Sequence, residues 1–201
     1  MPSISRLWLL LAVLLVPTLV AAQDAPPSLA PDALLPLDPQ VRTGTLDNGL
    51  TYILRRNTEP ARRAELRLAV NAGSVQEGDD QQGLAHFLEH MLFNGTRNFE
   101  KQEIVNFLER AGMRFGGDLN AYTSFDETVY MLTIPTDSTE LYETAFDVLE
   151  DWAGHATLSD EEIAKERGVV IEEWRARQQN AQGRVLEKGL IPVYLHGTRY
   201  Q

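Results

Sequence analysis

The chain has 201 residues, is 43% hydrophobic and 23% charged, contains no cysteine and carries a formal net charge of −11. Such a composition is globular, and it excludes collagen-like and low-complexity chains, disulfide scaffolds and any cysteine-ligated zinc or iron–sulfur site. With acids in excess of Lys and Arg, the charge also argues against a chain built to hold a phosphate backbone, and no nucleic acid partner is expected.

Residues 1–22 read as a secretory signal peptide: Arg6 near the amino terminus, an apolar run from Leu7 to Val16, and the small-residue exit Val20-Ala21-Ala22. The run is interrupted by Pro17 and is shorter than the roughly 20 apolar residues that span a bilayer, so no stable membrane anchor is expected after cleavage. Five of the ten prolines fall between Pro26 and Pro39, and residues 23–40 are read as an extended linker. A single folded domain is expected over residues 41–201.

Two short strands, Val41 to Leu46 and Leu50 to Arg55, flank Asp47-Asn48-Gly49, a turn signal that predicts a hairpin. Ala64 to Val70 alternates Leu66, Leu68 and Val70 with Glu65 and Arg67, the pattern of a half-buried strand. Helical spacing covers Gln81 to Phe93 and Glu100 to Ala111, and strand composition returns at Leu119 to Ser124 and Thr128 to Ile134. Asp137 is placed to cap a helix running through Leu141, Val148 and Trp152, with Glu140 at its third position. Ser159 to Glu162 forms a Ser-x-x-Glu box opening a last helix through Trp174. The order β-β-β-α-α-β-β-α-α predicts an α+β fold in two layers, with helices packed on one face of a largely antiparallel sheet.

Chemistry enters at His86-Phe87-Leu88-Glu89-His90. Residues four apart on a helix lie about 40° apart around its axis, so His86 and His90 present imidazoles to one point. Neutral imidazole is a good ligand for Zn2+, and a catalytic zinc takes three protein ligands while keeping one position for water. Glu89 borders the same face and is placed to accept a proton without binding the ion. The order His-x-x-Glu-His is the inverted zinc peptidase motif. The third ligand must come from elsewhere, because His155 and His196 read as loop or surface histidines. The acidic helix after Ser159 offers Glu161, Glu162, Glu166, Glu172 and Glu173; Glu166 and Glu173 share a face, and spacing alone does not choose among them.

His86 to His90 followed by Met91-Leu92-Phe93-Asn94-Gly95-Thr96, the run Leu119-Asn120-Ala121-Tyr122-Thr123-Ser124, and Glu166-Arg167-Gly168-Val169-Val170-Ile171-Glu172-Glu173-Trp174 together resemble the pitrilysin family of zinc peptidases. That family includes insulysin, the mitochondrial processing peptidase and bacterial secreted relatives. The resemblance runs from about Val41 to the last residue. It implies a zinc-dependent endopeptidase in which His86, His90 and Glu173 bind the metal, Glu89 is the general base and Glu166 is a supporting acid behind the ligands. The interval from His90 to Glu173 exceeds the family's usual one, and the excess is assigned to Gly112 to Asp118.

Asn120, Ala121 and Tyr122 resemble the family's edge strand, along which a peptide substrate adds as an extra strand. Family members enclose substrate between two related halves. The resemblance therefore implies a second homologous half, in the same chain or in a partner subunit, and makes this sequence read as the amino-terminal portion of a longer enzyme, able to bind zinc while cleaving poorly or not at all alone. The competing reading is a noncatalytic peptide-binding or assembly subunit of the same fold. The signal peptide points to export across the inner membrane, to a periplasm.

Overall fold

A computed structural model describes residues 33–114 and 116–200. The expected signal peptide and residues 23–32 of the expected linker lie outside the described residues. Residues 33–40 are exposed and have no regular structure before a turn at 39–40. The chain divides into two units, one ending at Arg56 and the other beginning at Asn57.

In the first unit, β1 (Val41–Thr45) and β2 (Thr51–Arg55) pair antiparallel, with Val41 opposite Arg55 and Thr45 opposite Thr51. The turn is the one expected from Asp47-Asn48-Gly49. Gly49 sits at φ 88°, a conformation a side chain would strain, and Asn48 Oδ1 accepts the Leu50 N–H at 3.1 Å. These strands form a two-stranded sheet of their own instead of extending a larger one.

The second unit holds a three-stranded antiparallel sheet in the order β3 (Arg63–Val70), β5 (Thr128–Pro135), β4 (Leu119–Thr123). Register aligns Leu66 and Leu119 with Leu132, and Leu68 with Tyr130, so apolar residues of all three strands share a face. Tyr130, Leu132 and Ile134 of the central strand are buried against Ala145, Val148 and Trp152 of α3 (Thr139–Gly154) and Ile104 and Leu108 of α2 (Glu103–Arg110). Burying each larger apolar side chain stabilises the fold by about 1.5–3 kcal/mol. Glu65 and Arg67 on β3 face solvent, as their alternation requires. The fold is α+β, helices with antiparallel sheets.

Several boundaries differ from expectation for local reasons. The first helix, α1 (Leu84–Met91), begins three residues later than its periodicity, because Gly83 takes φ 92° and blocks helix before it. Gln102, at φ 67°, does the same before α2. The cap of α3 is Ser138, whose Oγ accepts the Leu141 N–H at 3.3 Å; Asp137 is one residue too early. Ser159 caps α4 (Asp160–Gln179) as expected, accepting from Glu162 N, and the three acids of the first turn complement the helix dipole. After α4, the short helices α5 (Ala181–Val185) and α6 (Ile191–Tyr194), joined by a wide turn over Leu186–Leu190, had no counterpart in the sequence reading.

Candidate metal centre

Two helices and one strand build the site. The start of α1 lacks a Ser, Thr, Asp or Asn cap, and a more distant acid replaces it: the Glu77 carboxylate accepts Gly83 N–H and Ala85 N–H, both at 2.7 Å. The loop carrying Glu77 is held in turn by Arg199, which donates to Val75 O at 2.9 Å and Glu77 O at 2.7 Å. It is also held by Ser74 N and Val75 N, which donate to Ser124 O and Phe125 O just past β4. Gly73 permits that approach, since a Cβ there would lie 2.3 Å from Ser124 O.

The i, i+4 spacing stacks the two imidazoles as expected, edge to face with centroids 4.7 Å apart. Their Nε2 atoms are 3.2 Å from each other. Across the gap, α4 brings Glu173, whose Oε2 lies 3.4 Å from His90 Nε2 and 3.6 Å from His86 Nε2. Among the described residues, these three side chains form the group whose donor atoms lie close enough together to share an ion.

The two nitrogens of the His90 ring face two different acids of α4. Its Nδ1 is 2.8 Å from Glu166 Oε1, two turns before Glu173, so Nδ1 carries the proton and Nε2 presents a lone pair to the group. Glu166 Oε2 accepts from Asn94 Nδ2 at 2.6 Å, and both carboxylate oxygens are therefore engaged. Burial foremost, and then His90 beside it, hold the His86 imidazole below its ordinary pKa, opposed by Glu173; the neutral form, the one that binds metal, is favoured.

The fit to zinc is geometric. Ligands bonded at 2.0–2.1 Å in a tetrahedral set stand roughly 3.3–3.4 Å apart. The three separations here, 3.2, 3.4 and 3.6 Å, bracket that value. Two ring nitrogens and a carboxylate oxygen, the donor types a zinc ion takes, converge on one point.

Glu89 is 9% exposed and its Oε2 accepts from Thr123 Oγ1 of β4 at 2.5 Å. Its carboxylate adds to burial in pushing the Tyr130 hydroxyl pKa well up. Both histidines, Glu89 and Glu173 line an open cleft of about 530 Å³, walled by Ala121 and Tyr122 of β4. Asn120 is exposed; its Oδ1 accepts the Ala121 N–H at 2.9 Å. His155 and His196 stand apart from the group; His155 pairs with Arg97.

Three contributors were not assigned roles from the sequence. Thr123 and Asn94 act through side-chain hydrogen bonds to distant residues that no spacing encodes. Asp151 of α3, fully buried, accepts from Thr96 Oγ1 and Asn98 N, both at 2.7 Å, and from Asn98 Nδ2 at 2.9 Å, fixing the loop that presents Asn94.

Comparison with known proteins agrees with this architecture. The profile of the insulinase family, peptidase family M16, matches residues 52–197. The chain is 45% identical over 164 residues to the probable zinc protease PqqL of Haemophilus influenzae, covering 82% of this chain and 18% of that one. It is 43% identical over 146 residues to the probable zinc protease PqqL of Escherichia coli, covering 73% of this chain and 16% of that one. The crystal structure of the first half of the periplasmic protease PqqL from Escherichia coli superposes with a TM-score of 0.78 at 41% identity, over 83% of this chain and 35% of that one. The chain thus spans less than a fifth of the length of these curated relatives.

Proposed function

The chain belongs to the insulinase family of peptidases, and from that premise we propose that it is the metal-binding unit of a zinc-dependent endopeptidase acting on extended peptides. In this reading His86, His90 and Glu173 hold Zn2+, Glu89 is the general base, and Glu166 orients His90. The observation that carries it is the near-equilateral triangle of donor atoms, with edges of 3.2, 3.4 and 3.6 Å. Glu173 is favoured over Glu166 as third ligand because Glu166 has both oxygens committed to His90 and Asn94.

Zinc held there would lower the pKa of a coordinated water and polarise the scissile carbonyl. The residues of the chain do the rest. Glu89 takes a proton from the attacking water and delivers it to the leaving amine, while the Thr123 hydroxyl fixes one of its oxygens. β4 pairs with β5 on one side and forms the border of its sheet on the other, so Asn120, Ala121 and Tyr122 offer main-chain groups to an extended peptide.

The complete protein carries a second homologous half that closes over the substrate; the greater length of the relatives and the match to the first half of the Escherichia coli protein support this. Residues 1–22 act as a signal peptide, residues 23–40 as a linker and residues 41–201 as the peptidase domain. The protein works in the periplasm, in keeping with the description of its Escherichia coli relative. The test is Glu89→Gln: cleavage of an unstructured peptide by the complete protein is abolished while metal analysis still finds one zinc. Persistent cleavage in that variant removes Glu89 from its role. Peptide binding without cleavage by the zinc-replete parent protein favours a noncatalytic binding subunit instead.

A further inference from the structure

Glu173 presents one oxygen to the imidazoles, and its other oxygen is not idle. Oε1 is paired with Arg177 Nη2, one turn further along α4, and Arg177 also lines the cleft. An acid four residues before a base is the favourable order for such a pair on a helix. Arg177 is 63% exposed and Glu173 32%, so the contact adds little to folding stability. Its consequence is geometric. A carboxylate can bind a cation through one oxygen or through both, and a free side chain on a solvent-facing helix would turn between those modes. With Oε1 held by a guanidinium, Oε2 alone is left for the group at 3.4 and 3.6 Å from the two nitrogens.

Resting on the assignment of Glu173 as third ligand, we propose that Arg177 is a positioning residue that holds Glu173 to one-oxygen ligation and so keeps the metal four-coordinate, with a single position open for water. The arrangement parallels that of Glu166, which fixes His90 from behind. Each of these two ligands, one imidazole and one carboxylate, is oriented by a partner on α4. Partners of this kind typically change metal affinity by about 10- to 100-fold when removed.

The test replaces zinc with Co2+, whose visible absorption reports coordination number, in the complete protein and in Arg177→Ala, Arg177→Lys and Glu173→Gln. Affinity is read in parallel by competition with a chromophoric chelator. Arg177→Ala is expected to weaken binding about 10- to 100-fold and to exchange the intense four-coordinate bands for the weak ones of higher coordination. Arg177→Lys, which keeps a cation within reach of Oε1, retains the four-coordinate spectrum. An unchanged spectrum and affinity in Arg177→Ala, alongside loss of both in Glu173→Gln, overturns the role of Arg177 and leaves the ligand assignment standing. Retention of both in Glu173→Gln overturns the ligand assignment itself and the inference with it.

Discussion

Glu166 offers the sharpest quantitative test of the site, because its two oxygens have separate partners at known distances: His90 Nδ1 at 2.8 Å and Asn94 Nδ2 at 2.6 Å. Glu166→Gln preserves shape and halves the accepting capacity, since an amide has one carbonyl oxygen. Its NH2 must then face either the His90 ring N–H or the Asn94 amide, donor against donor. A hydrogen bond to a charged group contributes about 1.5–3 kcal/mol. Independently, losing the partner that orients a metal-binding histidine costs about 10- to 100-fold in affinity, or about 1.4–2.7 kcal/mol. The two routes agree, so zinc should bind Glu166→Gln with a dissociation constant raised by one to two orders of magnitude. Glu166→Ala should be similar or somewhat worse. Chelator competition at neutral pH on the parent, the two variants and His86→Ala measures this directly. Affinities within about twofold of the parent would refute the orienting role. A loss as large as that in His86→Ala would make Glu166 a ligand.

Two further outcomes follow from the same geometry. Zinc at about 1,000 times its dissociation constant should stabilise the fold by about 4 kcal/mol, moving the thermal midpoint up by roughly 8–16 °C, with reversal by chelator; no shift would mean that zinc does not bind the folded chain in preference to the unfolded one. Asp151→Ala leaves the Thr96 hydroxyl and the Asn98 main-chain and side-chain N–H groups without their buried acceptor. Asn98 is exposed and can turn to water, so the cost rests on the buried Thr96 hydroxyl: the urea midpoint should fall by the equivalent of about 1–3 kcal/mol, and no measurable change would show that water replaces the carboxylate freely.

Local patterns in this chain were legible where one segment carries both partners. The juxtaposed imidazoles follow from a four-residue interval, the hairpin from Asn48-Gly49, and the start of α4 from Ser159 three residues before Glu162. Legibility fails where the partner is distant or the competition is between neighbours. Residue counting leaves Glu166 and Glu173 equivalent, since both lie on one face of α4; only the placement of α1 against that helix gives one of them to His90 Nδ1 and the other to its Nε2. Asp137 and Ser138 are both good caps, and the extended backbone at Ser138, φ −124° and ψ 119°, decides between them. Glu77 is invisible as a cap because it acts from six and eight residues away. The helical turns after α4 contain Gly183, Gly189 and Pro192, which depress helix propensity in any local reading.

The position of β4 in its sheet has a further cost. Main-chain donors and acceptors at the border of a sheet do not distinguish a substrate peptide from an unfolded neighbour or from a strand of a second molecule, and natural proteins shield such borders with charge, proline or cover. The five residues of β4, Leu-Asn-Ala-Tyr-Thr, carry neither a charge nor a proline. One shield is visible: Asn120 folds its own amide oxygen onto the Ala121 N–H, so an incoming chain must displace that contact before it can add there. An exchange of Asn120 for a residue without that oxygen should therefore leave the Ala121 N–H open to any incoming strand.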